Sequence, residues 1–368
     1  MQFNLIKKKI IIRIFKIIFF PIEKLKFFFL KNYSKFFFIS DNASWATDNT
    51  TKIINKFFIN LKIDTENIYS EPKKQFLFYT DQYSLLKTNF YNKKNIVAVD
   101  YQHGITKYLK NNFKLLNKIK KYQKYIRLIR VTNSVFRNYL IKKGIDKKKI
   151  FTIPLTVDTS FFLPKSNKIE LKKKFNLPLD KYLIGSFHKD GNGWDDGFIP
   201  KLIKGPDILV KSLIDLKKKI GKDNFAVILT APARGYVKQK LKKNKIEYYH
   251  FDSLNFRDLP DLYNCLDLYL ISSRDEGGPT GLFESMACGI PVVTTSVGTA
   301  HDNIKNYYNG FKCKIGDYVS LSNYIIKIKN NNKLRNKIIK NSIITAKKNN
   351  YNSHKYKWKK FIKYFLET

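Results

Sequence analysis

Short apolar runs alternate along this chain with longer stretches in which apolar residues recur at helical spacing. In the first half, the helical spacing predicts helices over residues 51–61 and 132–143. The apolar runs predict strands over residues 35–40, 76–80, 95–100, 125–131 and 150–154. Because strands that alternate with helices form parallel sheets covered by helices, the first half is predicted to be an α/β domain.

The second half repeats this alternation. Its apolar runs predict strands over residues 182–186, 224–230, 247–251, 268–272 and 291–295. Helices are predicted over residues 206–220, 259–265 and 281–288. Two prolines and a lysine-rich run mark a domain boundary within residues 155–178, and aromatic residues at helical spacing predict a terminal helix over residues 351–365.

The composition suits a protein with two buried cores in a reducing compartment. Of the 368 residues, 43% are hydrophobic and 15% are aromatic, which is enough apolar material for two domains. The cysteines Cys265, Cys288 and Cys313 are odd in number and widely spaced, so neither a disulfide framework nor a structural metal is predicted. The histidines also lack the spacing of metal ligands, namely His188, His250, His301 and His354.

The net charge of +41 is extreme and has two functional interpretations, nucleic acid or an anionic membrane surface. A third interpretation is compositional, because the abundance of Lys, Asn, Ile, Phe and Tyr is what an AT-rich genome would encode. We favour this origin for the charge. The sequence contains no helix-turn-helix, zinc-finger or aromatic RNA-binding signature, so a specific nucleic-acid partner is not predicted.

Residues 1–31 are basic and aromatic, but their longest uncharged run, residues 17–22, is far too short to span a membrane. No small-residue cleavage site follows, so a secretory signal is not predicted. Two interpretations remain equally open, an anchor lying on an anionic membrane surface or an element packed on the first domain. The predicted location is the cytoplasm, with peripheral attachment to the inner face of the cell membrane under the first interpretation.

The window of residues 271–298 is the most informative for chemistry. A predicted strand ends at Ser272, and a turn rich in glycine enters a helix. Glycines let the backbone approach a ligand closely, and the free N–H groups of a helix N-terminus suit phosphate. Such a turn alone is equally compatible with a tight connection. Two carboxylates, Glu276 and Glu284, stand across it and are expected to accept hydrogen bonds from sugar hydroxyls rather than to bind phosphate.

The segment from Glu276 through Glu284 to SMACGIPVVTTSVG resembles the signature of the family-4 retaining glycosyltransferases. The segments KGPD at 204–207, IPLTVDTSFFLP at 153–164 and VTNSVFRNYLIKKGIDKKKIFTIP from Val131 agree in order and spacing. The resemblance spans Val97 to Gly310 and is strongest after Tyr182.

This resemblance implies the α/β fold called GT-B, in which two Rossmann-like domains with parallel sheets face a central cleft and a C-terminal helix returns to the first domain. The implied boundaries are an acceptor-side domain at 32–160, a nucleotide-sugar-binding domain at 161–345 and a terminal helix at 346–368. Residues 1–31 form a separate basic segment.

The resemblance also implies roles for individual residues. Glu276 would contact the hydroxyls of the transferred sugar, and Glu284 would hold the ribose. Lys204 would neutralise the departing diphosphate, and His103 would face the donor sugar from the first domain. Phe251 to Leu254 fall where the base is expected. The remaining donor-binding residues would be Gly277, Gly278, Pro279, Thr280, Gly281 and Leu282.

Two departures from the family pattern affect these expectations. The arginine expected after the strand at 182–186 is missing, and the sequence there reads GSFHKDGNGWDDG. Lys189 is the predicted second cation, with Arg234 and Arg274 as alternatives. The glycine-rich first loop is replaced by DNASWATDNT, in which Trp45 would stack on an acceptor or pack in the core.

The predicted activity is a retaining hexosyl transfer from a nucleoside-diphosphate sugar to a glycan or lipid-linked acceptor. The resemblance implies front-face attack without a protein nucleophile, so the two-carboxylate glycosidase scheme does not apply. No cofactor or metal is expected, because fixed cations and helix N–H groups would stabilise the leaving group. The alternatives are a nucleotide-sugar epimerase, a non-catalytic glycan-binding or nucleotide-sugar-binding relative, and a basic nucleic-acid-binding protein.

Overall fold

A computed structural model describes residues 36–39, 65–68, 76–80, 82–87, 95–105, 112–193 and 195–366. Three predictions lie outside the described residues, namely those for the basic segment 1–31, for the loop containing Trp45 and for the helix at 51–61. Two sheets of six strands organise the remainder.

The first sheet has the strand order β2-β1-β3-β4-β5-β6. In this sheet β1 pairs in parallel with β2 and β3, and β3 pairs in parallel with β4. The strands are β1 (Phe36–Ile39), β2 (Thr65–Ile68), β3 (Phe76–Tyr79), β4 (Ile96–Tyr101), β5 (Ile126–Val131) and β6 (Ile150–Thr152). Five of them confirm predicted strands, whereas β2 was not predicted because its sequence, TENI, is mostly polar.

The second sheet has the order β12-β11-β10-β7-β8-β9, and every neighbouring pair is parallel. This is the doubly wound order, which reverses between β7 and β10. The strands are β7 (Tyr182–Phe187), β8 (Phe225–Thr230), β9 (Tyr248–Phe251), β10 (Leu268–Ile271), β11 (Val292–Thr295) and β12 (Phe311–Cys313).

Twelve α-helices lie within the described residues. They are α1 (Gln82–Lys87), α2 (Asn112–Lys121), α3 (Ser134–Lys142), α4 (Lys168–Lys174), α5 (Pro206–Ile220), α6 (Gly235–Lys243), α7 (Leu259–Cys265), α8 (Thr280–Ala287), α9 (Gly298–Asn303), α10 (Tyr318–Asn330), α11 (Asn332–Lys348) and α12 (Tyr351–Leu366). Short 3₁₀ turns cover Gln123–Tyr125, Lys147–Lys149, Leu202–Lys204 and Phe256–Asp258.

The second sheet is buried on both faces, as a parallel sheet covered by helices must be. Side chains of β8 alternate between the faces, with Ala226 and Ile228 in one hydrophobic cluster and Val227 and Leu229 in the other. All four side chains have no exposed surface. This two-sided burial explains why the strand reads as one continuous apolar run in the sequence.

The terminal helix α12 confirms the prediction from aromatic spacing. Phe361 packs edge-on against Phe151 of β6, with 5.6 Å between the ring centroids. Phe365 packs edge-on against Phe76 of β3 at 5.6 Å, and its carbonyl accepts a hydrogen bond from Arg127 of β5 at 2.9 Å. The helix therefore ends against strands of the first sheet. Within the described ranges, no helix has the length and apolarity needed to cross a bilayer.

The chain divides into two compact units. The first comprises Met1–Asp100, Asn117–Ile129 and Ile362–Thr368, and the second comprises Tyr101–Leu116 and Arg130–Phe361. Every residue predicted for the site belongs to the second unit, including His103. The domain boundary predicted between residues 160 and 161 lies between the last strand of the first sheet and the first strand of the second.

Candidate functional site

The predicted site residues of the second half of the chain lie around the carboxyl ends of β7 and β10. These two strands are neighbours at the point where the order of the second sheet reverses, and ligands of open α/β sheets bind at such a point. Lys189 follows β7, and the turn of residues 272–279 follows β10 and leads into α8. The topology therefore brings together side chains that are almost 90 positions apart in the sequence.

Lys204 and Glu276 form an ion pair at the centre of this site. The Lys204 ammonium lies 2.6 Å from Oε1 of Glu276, and the Ser273 hydroxyl donates to the same oxygen at 3.0 Å. Burial alone would raise the pKa of Glu276, but the charge of Lys204, the electrostatic interaction with His103 and these hydrogen bonds hold that pKa below its ordinary value. Glu276 is therefore a buried carboxylate that stays ionised at neutral pH.

The backbone around Gly205 places Lys204 against the end of β10. Gly205 has a φ of 65°, which is in the left-handed region, and a Cβ here would collide with the carbonyl oxygen of Ser272. The Ser272 hydroxyl donates to the carbonyl of Gly205 at 2.9 Å, and the N–H of Arg274 donates to that of Ile203 at 2.7 Å. Glycine is thus required at position 205 by the close approach of two backbones.

His103 lies in the turn that follows β4, and its surroundings keep the imidazole neutral. Burial is the main cause of its lowered pKa, and the charge of Lys204 lowers the pKa further against the opposing effect of Glu276. Its Nδ1 atom is buried and has no hydrogen-bond partner among the residues that the structure describes. Lys204 and Glu276 both act on His103 electrostatically, and the role of His103 toward the donor sugar stays a prediction.

Lys201 lies near the ion pair, and Lys189 lies near Lys201. Burial lowers the pKa of Lys189, and it lowers that of Lys201 to about 8, with the charges of Lys204 and Lys189 contributing against that of Glu276. Lys189 was predicted as the second cation, whereas Lys201 was missed by the sequence reasoning. The signal for Lys201 was a lysine one 3₁₀ turn before Lys204.

The two alternative cations are each paired with a carboxylate. Arg274 makes a two-pronged contact with Asp207, with both N···O distances at 2.6 Å. Arg234 is fully buried, and its Nε lies 2.9 Å from Asp190. The charge of each arginine is thus largely offset within the protein, and the donor-binding role of Arg274 stays a prediction.

Close packing within the protein requires glycines in the turn from Gly277 to Gly281. A Cβ on Gly277 would lie 2.5 Å from the carbonyl oxygen of Gln102, and one on Gly281 would collide with the hydroxyl of Tyr269. Helix α8 begins at Thr280, directly after Pro279, and offers its free N–H groups here. Leu282 is completely buried in the core, so only its backbone can face a ligand.

Glu284 differs sharply from Glu276 in its electrostatics. Its Oε2 accepts a hydrogen bond from the buried hydroxyl of Tyr263 at 2.8 Å. Burial raises the pKa of Glu284 to about 7, although the hydrogen bonds from Tyr263 and Thr280 oppose the shift. Near neutral pH, therefore, Glu284 is partly protonated, whereas Glu276 remains ionised.

Glu284 should make stability pH-dependent. Because its pKa is raised on folding, the folded state binds more protons between pH about 4.5 and about 7, so this contribution to stability is lost as the pH rises through that window. We expect the unfolding free energy of wild type to fall across the window relative to Glu284→Gln. Urea denaturation at pH 5, 6, 7 and 8 measures this difference.

The matched control is Glu170→Gln, which removes a carboxylate from the exposed surface of α4. Its pH profile should run parallel to that of wild type over the same range. Parallel profiles for wild type and Glu284→Gln would contradict the assignment of Glu284.

The described residues contain no cluster of three His, Cys, Asp or Glu side chains that would suit a metal ion. The three cysteines are buried free thiols. Two of the histidines that lack metal-ligand spacing have hydrogen-bond partners within the protein, since His250 lies 2.8 Å from the carbonyl oxygen of Ala231 and His301 lies 2.9 Å from the hydroxyl of Ser296.

Comparison with known sequences adds to this geometry. Residues 199–344 match the sequence model of the family described as glycosyl transferases group 1. The lipopolysaccharide core biosynthesis mannosyltransferase LpsB of Rhizobium meliloti is 30% identical over 149 residues, which cover 39% of each chain. The Escherichia coli UDP-Gal:alpha-D-GlcNAc-diphosphoundecaprenol alpha-1,3-galactosyltransferase is 25% identical over 53% of this chain. The matches span half of the latter relative (51%) and 39% of the former.

Among solved structures, the fold resembles that of Anabaena HepE in complex with UDP-glucose. The TM-score is 0.70 at 15% sequence identity, and the match covers 90% of this chain and all of HepE. The similarity confirms the predicted class of two Rossmann-like α/β domains with parallel sheets. It extends over both sheets, whereas the family match begins only at residue 199.

Proposed function

We propose, from the premise that residues 199–344 belong to the glycosyl transferases group 1 family, that this chain transfers a sugar from a nucleoside diphosphate to a glycan or lipid-linked acceptor. The observation that supports this most strongly is the Lys204–Glu276 ion pair beside the N-terminus of α8, in which Glu276 is buried and Lys204 partly buried. The carboxylate suits the hydroxyls of a sugar diphosphate. The cation and the helix N-terminus suit its phosphates.

The proposed reaction breaks the bond between the anomeric carbon of the sugar and the β-phosphate oxygen. An acceptor hydroxyl forms the new glycosidic bond and loses its proton, and the nucleoside diphosphate leaves with an additional negative charge. Lys204 and the N–H groups at the start of α8 would stabilise that charge as it develops. Lys189 and Lys201 would add positive charge around the phosphates, and His103 would face the sugar.

We further propose that the transfer retains the anomeric configuration and needs no metal. Glu276 is held in a hydrogen-bonded ion pair, which suits a carboxylate that accepts bonds from sugar hydroxyls. The lysines provide the positive charge that a metal ion supplies to diphosphates elsewhere. In this scheme Glu284, freed of its proton, accepts a hydrogen bond from the ribose.

The donor that we propose to test first is a UDP-linked sugar. The name of the Escherichia coli relative specifies UDP-Gal, and the HepE structures contain UDP and UDP-glucose. Both curated relatives act, by their names, in lipopolysaccharide core synthesis or on a diphosphoundecaprenol-linked sugar. We therefore propose a surface glycan or its lipid-linked precursor as the acceptor.

A thermal-denaturation screen with UDP, GDP, ADP and dTDP, each with EDTA and then with Mg²⁺, tests the donor site. We expect one nucleotide to stabilise the protein equally in both conditions, by about 2.7 kcal/mol at a hundred times its Kd. Glu284→Ala should lose most of this effect, because a hydrogen bond to a charged acceptor contributes roughly 1.5–3 kcal/mol.

Product analysis then separates transfer from other chemistry on the same fold. Incubation with UDP-glucose or UDP-galactose and lipid-extract acceptors should yield free UDP and a glycoside of unchanged anomeric configuration. An epimerised nucleotide sugar without UDP release would instead favour the epimerase alternative. Absence of stabilisation by every nucleotide would contradict the proposed donor site.

A further inference from the structure

Asp275, which precedes Glu276, is almost completely buried, with 2% of its surface exposed. One of its carboxylate oxygens, Oδ2, accepts hydrogen bonds from two successive backbone N–H groups. These belong to Gly104 at 3.2 Å and Ile105 at 3.0 Å, about 170 positions earlier in the chain. The carboxylate is therefore hydrogen-bonded to the N–H groups of the two residues that directly follow His103.

Other contacts fix the same turn. The hydroxyl of Tyr101 donates to the carbonyl of Gly104 at 3.1 Å, and Gly104 has a φ of 123°, which favours glycine. Gly277 packs its backbone so closely on Gln102 that a Cβ would lie 2.5 Å from the Gln102 carbonyl oxygen. The turn that carries His103 and the turn that carries Glu276 are thus packed backbone to backbone.

The imidazole of His103 has fewer constraints of its own. Its Nδ1 atom is buried without a hydrogen-bond partner in the part of the chain that the structure describes. A ring that lacks such a side-chain anchor takes its position mainly from its backbone. The two hydrogen bonds to the Asp275 carboxylate hold this backbone in place.

We propose that Asp275 is a positioning residue for His103, acting by clamping the Gly104 and Ile105 amides so that the imidazole stays beside Glu276 and Lys204. The proposal rests on the proposed function for its effect on turnover, but not for its effect on structure. Asp275 and Glu276 are adjacent, so one short turn would set both groups that flank the transferred sugar. A displacement of about 1 Å in such a group lowers turnover roughly 100-fold.

The test compares Asp275→Asn with Asp275→Ala. The amide oxygen of asparagine can still accept both N–H bonds without the negative charge, whereas alanine can accept neither. Hydrogen–deuterium exchange of the peptide containing residues 101–105 reads the clamp directly. We expect exchange of the Gly104 and Ile105 amides to rise about tenfold or more in Asp275→Ala and to stay near wild type in Asp275→Asn.

Turnover of UDP-glucose and the Kd of UDP provide the functional readout. In Asp275→Ala we expect kcat to fall roughly 10- to 100-fold with the Kd of UDP within about twofold, and Asp275→Asn should restore most of kcat. Carbethoxylation of His103 by diethyl pyrocarbonate, located by mass spectrometry, should accelerate in Asp275→Ala only. If that variant does not fold, Asp275→Ser, whose hydroxyl is too short to reach both amides, takes its place.

Three results would overturn the proposal. They are unchanged exchange at residues 104 and 105 in Asp275→Ala, a loss of kcat in Asp275→Asn as large as in Asp275→Ala, and a loss confined to the Kd of UDP. If wild type fails to bind UDP or any other nucleotide, the proposed function fails. The exchange and carbethoxylation measurements still decide whether Asp275 holds His103.

Discussion

Replacing Lys204 by alanine is expected to lower kcat about 10²- to 10³-fold, because this ammonium would stabilise the charge that develops on the departing diphosphate. The Kd of the nucleotide should rise far less, since the additional charge exists only as the sugar bond breaks. Steady-state turnover together with calorimetric titration of UDP separates the two effects. Circular dichroism of the variant confirms that the fold is intact.

The matched control is Lys218→Ala, which removes one positive charge from the exposed surface of α5, the helix that follows Lys204. It should leave both kcat and Kd near wild type, which excludes an effect of net charge alone. A loss in Lys204→Ala that appeared only as weaker UDP binding would instead indicate a ground-state contact, and Lys204 would then have no role in leaving-group stabilisation.

Glu276→Gln is expected to lower kcat/KM roughly 100-fold or more, since it would remove the proposed charged acceptor for sugar hydroxyls and also deprives the partly buried Lys204 ammonium of its partner. Ser273→Ala is the graded control, because it removes only one neutral donor at 3.0 Å from the same carboxylate oxygen. It should reduce transition-state stabilisation by about 1 kcal/mol.

The double variant Lys204→Ala/Glu276→Gln decides whether the two side chains act together. The effects of substituting two groups in direct contact do not add, so the double variant should be only slightly less active than the less active single variant. If the two losses in log kcat/KM simply add, the ion pair in the free protein is incidental to the reaction.

Local signals explain how much of the fold could be predicted. The bounds of α5 follow from the glycines at 205 and 221 and from Pro206, which lie at its two ends, and the prediction matches the structure residue for residue. The strand Thr65–Ile68 has no apolar pattern of its own, because its place in the sheet comes from backbone pairing with Phe36–Ile39. Such pairing cannot be inferred from a polar tetrapeptide.

The same distinction applies to the site. The two glutamates and the glycines between them are close in sequence, so their turn was recognisable there. The pairing of Arg274 with Asp207 and the contacts of Asp275 with residues 104 and 105 join positions 67 to 171 apart in the chain. A local sequence pattern cannot indicate contacts between such distant positions, so the contacts of Asp275 were not predicted.

The contacts of the Glu276 turn also bear on how this protein can be recombined with its relatives. The carbonyl of Gly277 accepts hydrogen bonds from the Thr132 hydroxyl and, at 2.7 Å, from the Asn133 amide, and Asp302 binds the backbone N–H of Ser134 at 2.8 Å. In a chimera joined near residue 160, the residues on the two sides of these contacts would come from different parent proteins. A chimera designed to exchange donor specificity should therefore take residues 101–105 and 130–142 from the same parent as the second half of the chain.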